Sequence, residues 1–336
     1  MNPNNHYADL PPGSGPDGAS LLGFLASVGA LVSFTTIYPD NKVTLHWEQS
    51  LGWRGRILID GKPIGEDEIT NLHAHLTDNS NEELFNLTMN NGNDRYQTIT
   101  KVELSDVRTY LKTAIREGDK TKRNRLCSTY QGWFLDFVEG KAASSSKLCA
   151  LTGGGKQFFL ETALHLSGFH ENRAARVTEK KHLESTLLEP WKYEEPMPGC
   201  LWDAQEDRQY ALRHRDPTQL HKGERRSNYD GKVRTQRGAN RLGIEALSVF
   251  PLMPKVKRAE TPGFSKSRDA GHMFTWPIWE TPLTLAPIRV LMSHPRLTIK
   301  EPNLAALSPL GVSAVFRVRR IVKNERQVSF TIAEPI

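Results

Sequence analysis

The stretch ASLLGFLASVGALVSFTTIY, residues 19–38, decides the fold, because none of its twenty positions carries a charge. That length would just span a bilayer, so a membrane helix and a buried core helix compete for it. Five Ser or Thr and two Gly dilute the apolar content, and Asp17 and Asp40 flank it where basic anchors would be wanted. Leu22, Leu25, Val28 and Leu31 recur every third residue, and Phe24 and Val32 widen that face. The stretch therefore reads as a core helix, with no membrane partner expected. Gly23 and Gly29 mark where another element comes close, since Gly costs about 1 kcal/mol against Ala inside a helix.

Working outward, residues 1–18 are rich in Pro, Gly and Asn and read as a flexible leader. They contain no Lys or Arg, so the basic start of a secretory signal is missing. KVTLHWE (42–48) alternates with period two, GRILID follows, and Gly61–Lys62 forms a turn, which predicts a hairpin over 42–64. Helices are expected near 66–77 and 105–117, the second with Ser105 as N-cap. KAASSSK (141–147) resembles a connector, and FFLETALHL (158–166) has a helical pattern. Residues 190–232 show no period and hold four prolines, so they read as ordered loop. ANRLGIEALSVF is helical in pattern and should stop at Pro251 and Pro254. FTWPIWETPL (274–283) reads as extended, and SAVFRVRRI and QVSFTIA form a second hairpin around KNER.

Helices and hairpins without a βαβ rhythm predict an α+β fold of mixed helices and antiparallel hairpins, with no Rossmann or P-loop core. The expected division is a leader at 1–18, an N-terminal α+β region at 19–140 and a C-terminal α+β region at 148–336. One continuous domain remains the alternative. A hydrophobic content of 38% permits a real core and argues against global disorder. Cys127, Cys149 and Cys200 form no CxxC pair, which removes a zinc ribbon and fits reduced thiols in a cytoplasm.

Several tempting motifs fail on spacing. LTGGGKQFF (151–159) lacks the first glycine and the hydroxyl of a P-loop, since Ala150 and Gln157 occupy those positions. The glycine turn reads as plain, or as amides facing a backbone phosphate. His73 and His75 with Asp78 lack a second cluster to complete a metal site, and FHENRAAR (169–176) is not HExxH. No Ser or Cys sits in a nucleophile elbow. No cofactor, metal or catalytic centre is expected.

The basic region differs in kind. From Tyr210 to Arg241 lie Arg213, Arg215, Lys222, Arg225, Arg226, Lys232, Arg234, Arg237 and Arg241, against Asp216, Glu224 and Asp230. Nine bases against three acids equal the +6 net charge of the chain, so its excess charge is local. Such density neutralises phosphates and releases counterions. Tyr210 and Tyr229 are candidates for stacking on unpaired bases. A smaller patch spans Arg116 to Arg125, with Lys122, Arg123 and Arg125 as candidates. Arg317 and Arg319 share a strand face, with Arg320 next to them. At the head of the 237–250 helix, Gly238 is expected to allow a tight turn, and Asn240 to cap or bind locally. Arg237 and Arg241 then either project toward an anion at the helix start or pair inside the fold, Arg241 with Asp203 or Asp216.

Taken in order, LLGFLASVGAL, LHWE, LTGGGKQFFLETA, CLWDAQEDRQYALRHRDPT, RGANRLGIEALSVFPLMP and FTWPIWETPL resemble an accessory CRISPR-associated family of type I-G loci, formerly type I-U. The resemblance covers roughly residues 20–293. Members of that family occur beside the helicase–nuclease or fused to it, and have been treated as variants of the large subunit of the effector complex. What the resemblance implies is a non-enzymatic subunit with crRNA, target DNA, other effector subunits and the helicase–nuclease as partners. The matching residues are Trp202, Asp203, Arg208, Tyr210, Ala211, Arg213, Asp216, Pro217, Arg237, Gly238, Ala239, Asn240, Arg241, Trp276 and Trp279. A scaffold that recruits the helicase–nuclease without touching nucleic acid is one alternative. A cryptic metal-dependent nuclease with Asp203, Glu206 and Asp207 is the other.

Overall fold

The computed structural model describes residues 7, 10–80, 104–120, 123–124, 127–128, 132, 134–135, 144–148, 162–163, 166, 178–193, 199–204, 235–251, 253–255, 258–267, 271–299, 302–323 and 327–336. The uncharged stretch forms α1, Leu21–Ile37, which starts where the Ser20 hydroxyl accepts from the Gly23 amide. Thirteen of its residues are buried, on every side of the helix. A helix that is apolar all round belongs inside a core. Among the described residues, no helix is long and apolar enough to cross a membrane.

The fold is α+β. Strands β1 (Val43–Gln49), β2 (Trp53–Ile59) and β3 (Lys62–Pro63) form an antiparallel sheet, with Leu45 opposite Ile57. This is the hairpin that period-two alternation predicts. Helices α2 (Glu66–Ser80) and α3 (Leu104–Arg116) follow. Because α3 already includes Leu104, Ser105 lies within the helix rather than capping it. After short pairs β4 (Phe134–Leu135) and β5 (Ser144–Ser145) come α4 (Lys180–Leu187) and α5 (Arg237–Ala246). A 3-10 turn, Leu247–Val249, ends α5 just before Pro251. Of the helix expected over 158–166, only Thr162, Ala163 and Leu166 are described, and they are helical.

A second ribbon, β6 (Met253–Lys255) and β7 (Arg258–Glu260), precedes the larger antiparallel sheet. That sheet comprises β8 (Phe264–Ser267), β9 (Gly271–Trp279), β10 (Val312–Lys323), β11 (Gln327–Phe330) and β12 (Glu334–Pro335). Its order is β11-β10-β9-β8, with β12 also paired to β10. Helices α6 (Leu285–Met292) and α7 (Leu304–Leu307) fill the connection between β9 and β10.

The core forms where α1 meets these elements. The Phe24 ring stacks on Trp276 at 5.7 Å and Trp47 at 6.2 Å, and leans on Phe250 at 6.4 Å. Three parts of the chain therefore converge on one side chain. Trp276 Nε1 donates to the Gly18 carbonyl and Trp279 Nε1 to the Leu45 carbonyl, each at 2.8 Å. These bonds satisfy indole donors that the core would otherwise leave dry. A backbone bridge from Leu45 to Leu283 ties the small sheet to the segment after β9. The buried cluster accordingly runs from Tyr7 to Phe330 and takes side chains from both expected regions.

Residues 10–18, expected as part of a flexible leader, are instead strapped across the small sheet. The Gly15 amide donates to the Glu189 carbonyl, the Gly18 amide to Trp53, and the Gly55 amide to Pro16. Gly13 and Gly15 take positive φ values of 81° and 86°, so the strap needs glycine there. Asp17 pairs with Arg54 at 3.7 Å. Tyr7 is buried beneath the strap, its hydroxyl bonded to the Ile57 carbonyl and the Ile64 amide, with the Arg56 guanidinium 4.8 Å from its ring centre. Burial pushes the Tyr7 phenol well above its ordinary range.

Candidate nucleic-acid interface

Most residues named for phosphate contact lie outside the described residues. These are Tyr210, Arg213, Arg215, Lys222, Arg225, Arg226, Tyr229, Lys232 and Arg234 within 205–234, together with Lys122 and Arg125. The glycine turn 151–155 lies outside them as well. Arg123, Arg237, Asn240 and Arg241 are described. Arg123 is half-buried and donates through Nη1 to the Glu117 carbonyl at 3.4 Å.

An outward placement of Arg237 and Arg241 is corrected by the structure. The N-terminus of α5 packs against α4, so both arginines and Asn240 are buried. Arg241 is 1% exposed. Its Nη1 meets Glu245 Oε1 at 2.6 Å and its Nη2 donates to the Leu76 carbonyl of α2 at 3.2 Å. The internal partner is therefore Glu245, one helical turn on, rather than Asp203. Arg237 lies beside the start of α4. A hydrogen bond from Lys181 holds the Glu179 carboxyl below its ordinary range, and the Arg237 charge adds a smaller share.

Gly238 also has a different reason from the expected turn. A Cβ there would sit 2.2 Å from the His182 carbonyl oxygen, so glycine is what lets α4 cross α5. Gly243 does the same for the Trp202 ring, which a Cβ would meet at 2.5 Å.

Asn240 organises the base of the basic segment. Its Oδ1 accepts from the Cys200 amide at 2.7 Å. Its Nδ2 donates to Thr235 Oγ1 at 2.7 Å and to the Gln236 carbonyl at 3.0 Å. Cys200 precedes the segment 205–234 and Thr235 follows it. One fully buried side chain thus clamps both flanks. The incoming flank has two further anchors. Trp202 Nε1 donates to the Leu148 carbonyl at 2.8 Å. Asp203 Oδ2 accepts from Ser20 Oγ at 3.1 Å and from the Tyr193 hydroxyl at 2.5 Å. Asp203 therefore stands at the N-terminus of α1, where the helix dipole favours a carboxylate.

That placement gives Asp203 a structural task. Glu206 and Asp207, its proposed nuclease companions, lie outside the described residues. Among the described residues, no three His, Cys, Asp or Glu side chains gather to hold a metal. His73 and His75 lie on α2, where positions two apart face different directions.

On the last hairpin, Arg317 donates through Nε to Thr275 Oγ1 at 2.9 Å and through Nη2 to the Ile299 carbonyl at 2.7 Å. Arg319 is exposed. The sequence did carry one signal for Arg241, since Glu245 stands four residues later on the same helix. The Asn240 clamp had no such local signal. No protein-family model, no curated protein and no solved structure matches this chain.

Proposed function

We propose that the chain is a non-enzymatic, nucleic-acid-binding subunit of a type I-G CRISPR effector complex in the cytoplasm, with the segment 205–234 as its contact surface. The observation that carries this reading is the clamp at the segment's base. One buried Asn240 bonds both Cys200 and Thr235, the described flanks of a strongly basic stretch of sequence, and so brings its two ends together. With Arg237 and Arg241 used inside the fold, the cations left for phosphate are Arg213, Arg215, Lys222, Arg225, Arg226, Lys232 and Arg234. The effector context, with crRNA, target DNA, other subunits and the helicase–nuclease as partners, rests on the resemblance of the ordered sequence blocks.

The test is fluorescence anisotropy with labelled duplex DNA, single-stranded DNA and RNA over a salt series. The wild type is compared with Arg213→Gln/Arg215→Gln and Arg225→Gln/Arg226→Gln. Each phosphate deprived of its cation should reduce the steepness of log affinity against log salt by about 1. Unchanged slopes would move the binding surface elsewhere on the chain. Absence of binding, with co-purification of the helicase–nuclease retained, would replace the reading with a docking scaffold. Metal-dependent cleavage would overturn the non-enzymatic assignment.

A further inference from the structure

A groove opens at the end of the larger sheet where β9 leaves it and β10 enters. Trp279, the last residue of β9, pairs with Val312, the first of β10. Trp279 turns its indole into the core, so Glu280 and Thr281, which follow, emerge at the surface. On the β10 side, the buried Leu307 pins α7, which passes into the 3-10 turn Ser308–Leu310. Gly311 ends that turn with φ 82°, its amide on the Ser308 carbonyl at 2.8 Å. The register then slips between Val312 and Ala314, which leaves Ser313 as an extra residue. Such a bulge re-aims the side chain it carries. The result is an open groove of about 490 Å³ lined by Glu280, Thr281, Leu304, Ser308, Val312 and Ser313 beside Gly311.

Its walls therefore carry one carboxylate, three hydroxyls and two aliphatic side chains. Among the described residues, Glu280 has no ion pair and the three hydroxyls make no hydrogen bond. Arg296 donates to the Ala306 carbonyl of α7 at 3.4 Å, and Arg317 to Thr275 and the Ile299 carbonyl, so neither pairs with Glu280. An acceptor-rich groove with an unpaired negative charge suits a ligand made of donors. An alkylammonium group has three N–H donors, no acceptor and a positive charge on an apolar stem. Its rotatable donors match acceptors drawn from three separate segments better than the planar fork of a guanidinium. The stem would lie along Val312 and Leu304, which is 37% exposed. A phosphate would meet only repulsion from Glu280, so this groove is chemically distinct from a nucleic-acid surface.

The geometry points to a binding site for an alkylammonium group, whose source is either a lysine side chain on a partner protein or a free polyamine. This goes beyond the nucleic-acid reading above and does not depend on it.

The experiment is saturation-transfer NMR on the full chain, with pentylamine, methylamine and the neutral 1-pentanol as probes. Pentylamine should bind with a Kd of ~1 mM, as an open ion pair allows. Glu280→Gln should weaken it about fivefold without lowering the melting temperature. Leu304→Ala should weaken pentylamine more than methylamine, because only the longer probe reaches the stem wall. Spermidine and the tripeptide acetyl-Gly-Lys-Gly-amide then separate the two sources. Tighter binding of the tripeptide assigns the groove to a partner's lysine, and tighter binding of spermidine assigns it to a free polyamine. Pentylamine binding that Glu280→Gln leaves unchanged would overturn the site. Equal binding of 1-pentanol would also overturn it, because the groove would then be reading the stem alone. So would the absence of any transfer to pentylamine well above the expected Kd.

Discussion

Replacing Gly29 with Ala should destabilise the protein although alanine is the better helix former. Gly29 lies in the middle of α1, against α5. A Cβ there would stand 1.8 Å from the Leu242 carbonyl oxygen, 2.6 Å from its carbon and 3.2 Å from the Ala246 amide nitrogen. The obstruction is helix backbone, which cannot rotate aside as a side chain would. Relieving it means pushing the helices apart by more than an ångström in a close-packed interior. Overpacking of this kind costs about 1–3 kcal/mol, and backbone contact places Gly29 at the upper end. The helix-propensity gain offsets about 1 kcal/mol. The net expectation is a loss of about 2 kcal/mol. Urea unfolding followed by tryptophan fluorescence measures it, since Trp47, Trp202, Trp276 and Trp279 are all buried. Gly118→Ala is the control, because a Cβ there meets nothing within 4 Å. It should stay within about 0.5 kcal/mol of wild type. A Gly29→Ala protein as stable as wild type, or more so, would refute the view that direct backbone contact joins α1 to α5.

Asn240→Ala should cost about 1–3 kcal/mol, because it leaves the buried Cys200 amide without its acceptor, and the denaturation midpoint reports it. Arg241→Ala should cost about 3–5 kcal/mol by stranding the Glu245 carboxylate. Arg241→Met/Glu245→Leu should recover most of that loss in the same unfolding assay. At the exposed contact between α2 and α4, a hydrogen bond from Lys180 holds the Glu66 carboxyl below its ordinary 4.5, and the same bond raises Lys180. The Glu66 contribution is complete above pH 4.5 and disappears as pH falls through its lowered folded value. Glu66→Gln should therefore soften the acid limb of the stability profile, slightly and less so in high salt.

The sequence showed best what depends on local period. Alternation marked β1 and β2, a proline pair marked the end of α5, and the missing charges of α1 marked its burial. It showed less where an interaction joins distant positions. Nothing local in residues 10–18 announces that the Gly18 carbonyl will accept from Trp276, 258 positions away. The glycines of the strap looked like looseness, whereas at 13 and 15 they supply left-handed backbone. The sequence left the head of α5 open between an outward and an inward placement for a related reason. Arginines at a helix start suit an anion, but burial of that start against α4 turned them inward. Asn240 looked like a cap, yet its partners include an amide 40 positions earlier.

The position of α1 also has a consequence for synthesis. It is translated before α5 and β9, which cover it and come roughly two hundred residues later. At 5–20 residues per second, that delay is roughly 10–40 s. Throughout it, the uncharged α1 has its neighbours β1, β2 and α2 but lacks the surface that α5 and β9 supply. The nascent chain must shelter that helix by other means, with holding chaperones the natural candidates, and slowing translation between residues 40 and 237 should lower the soluble yield.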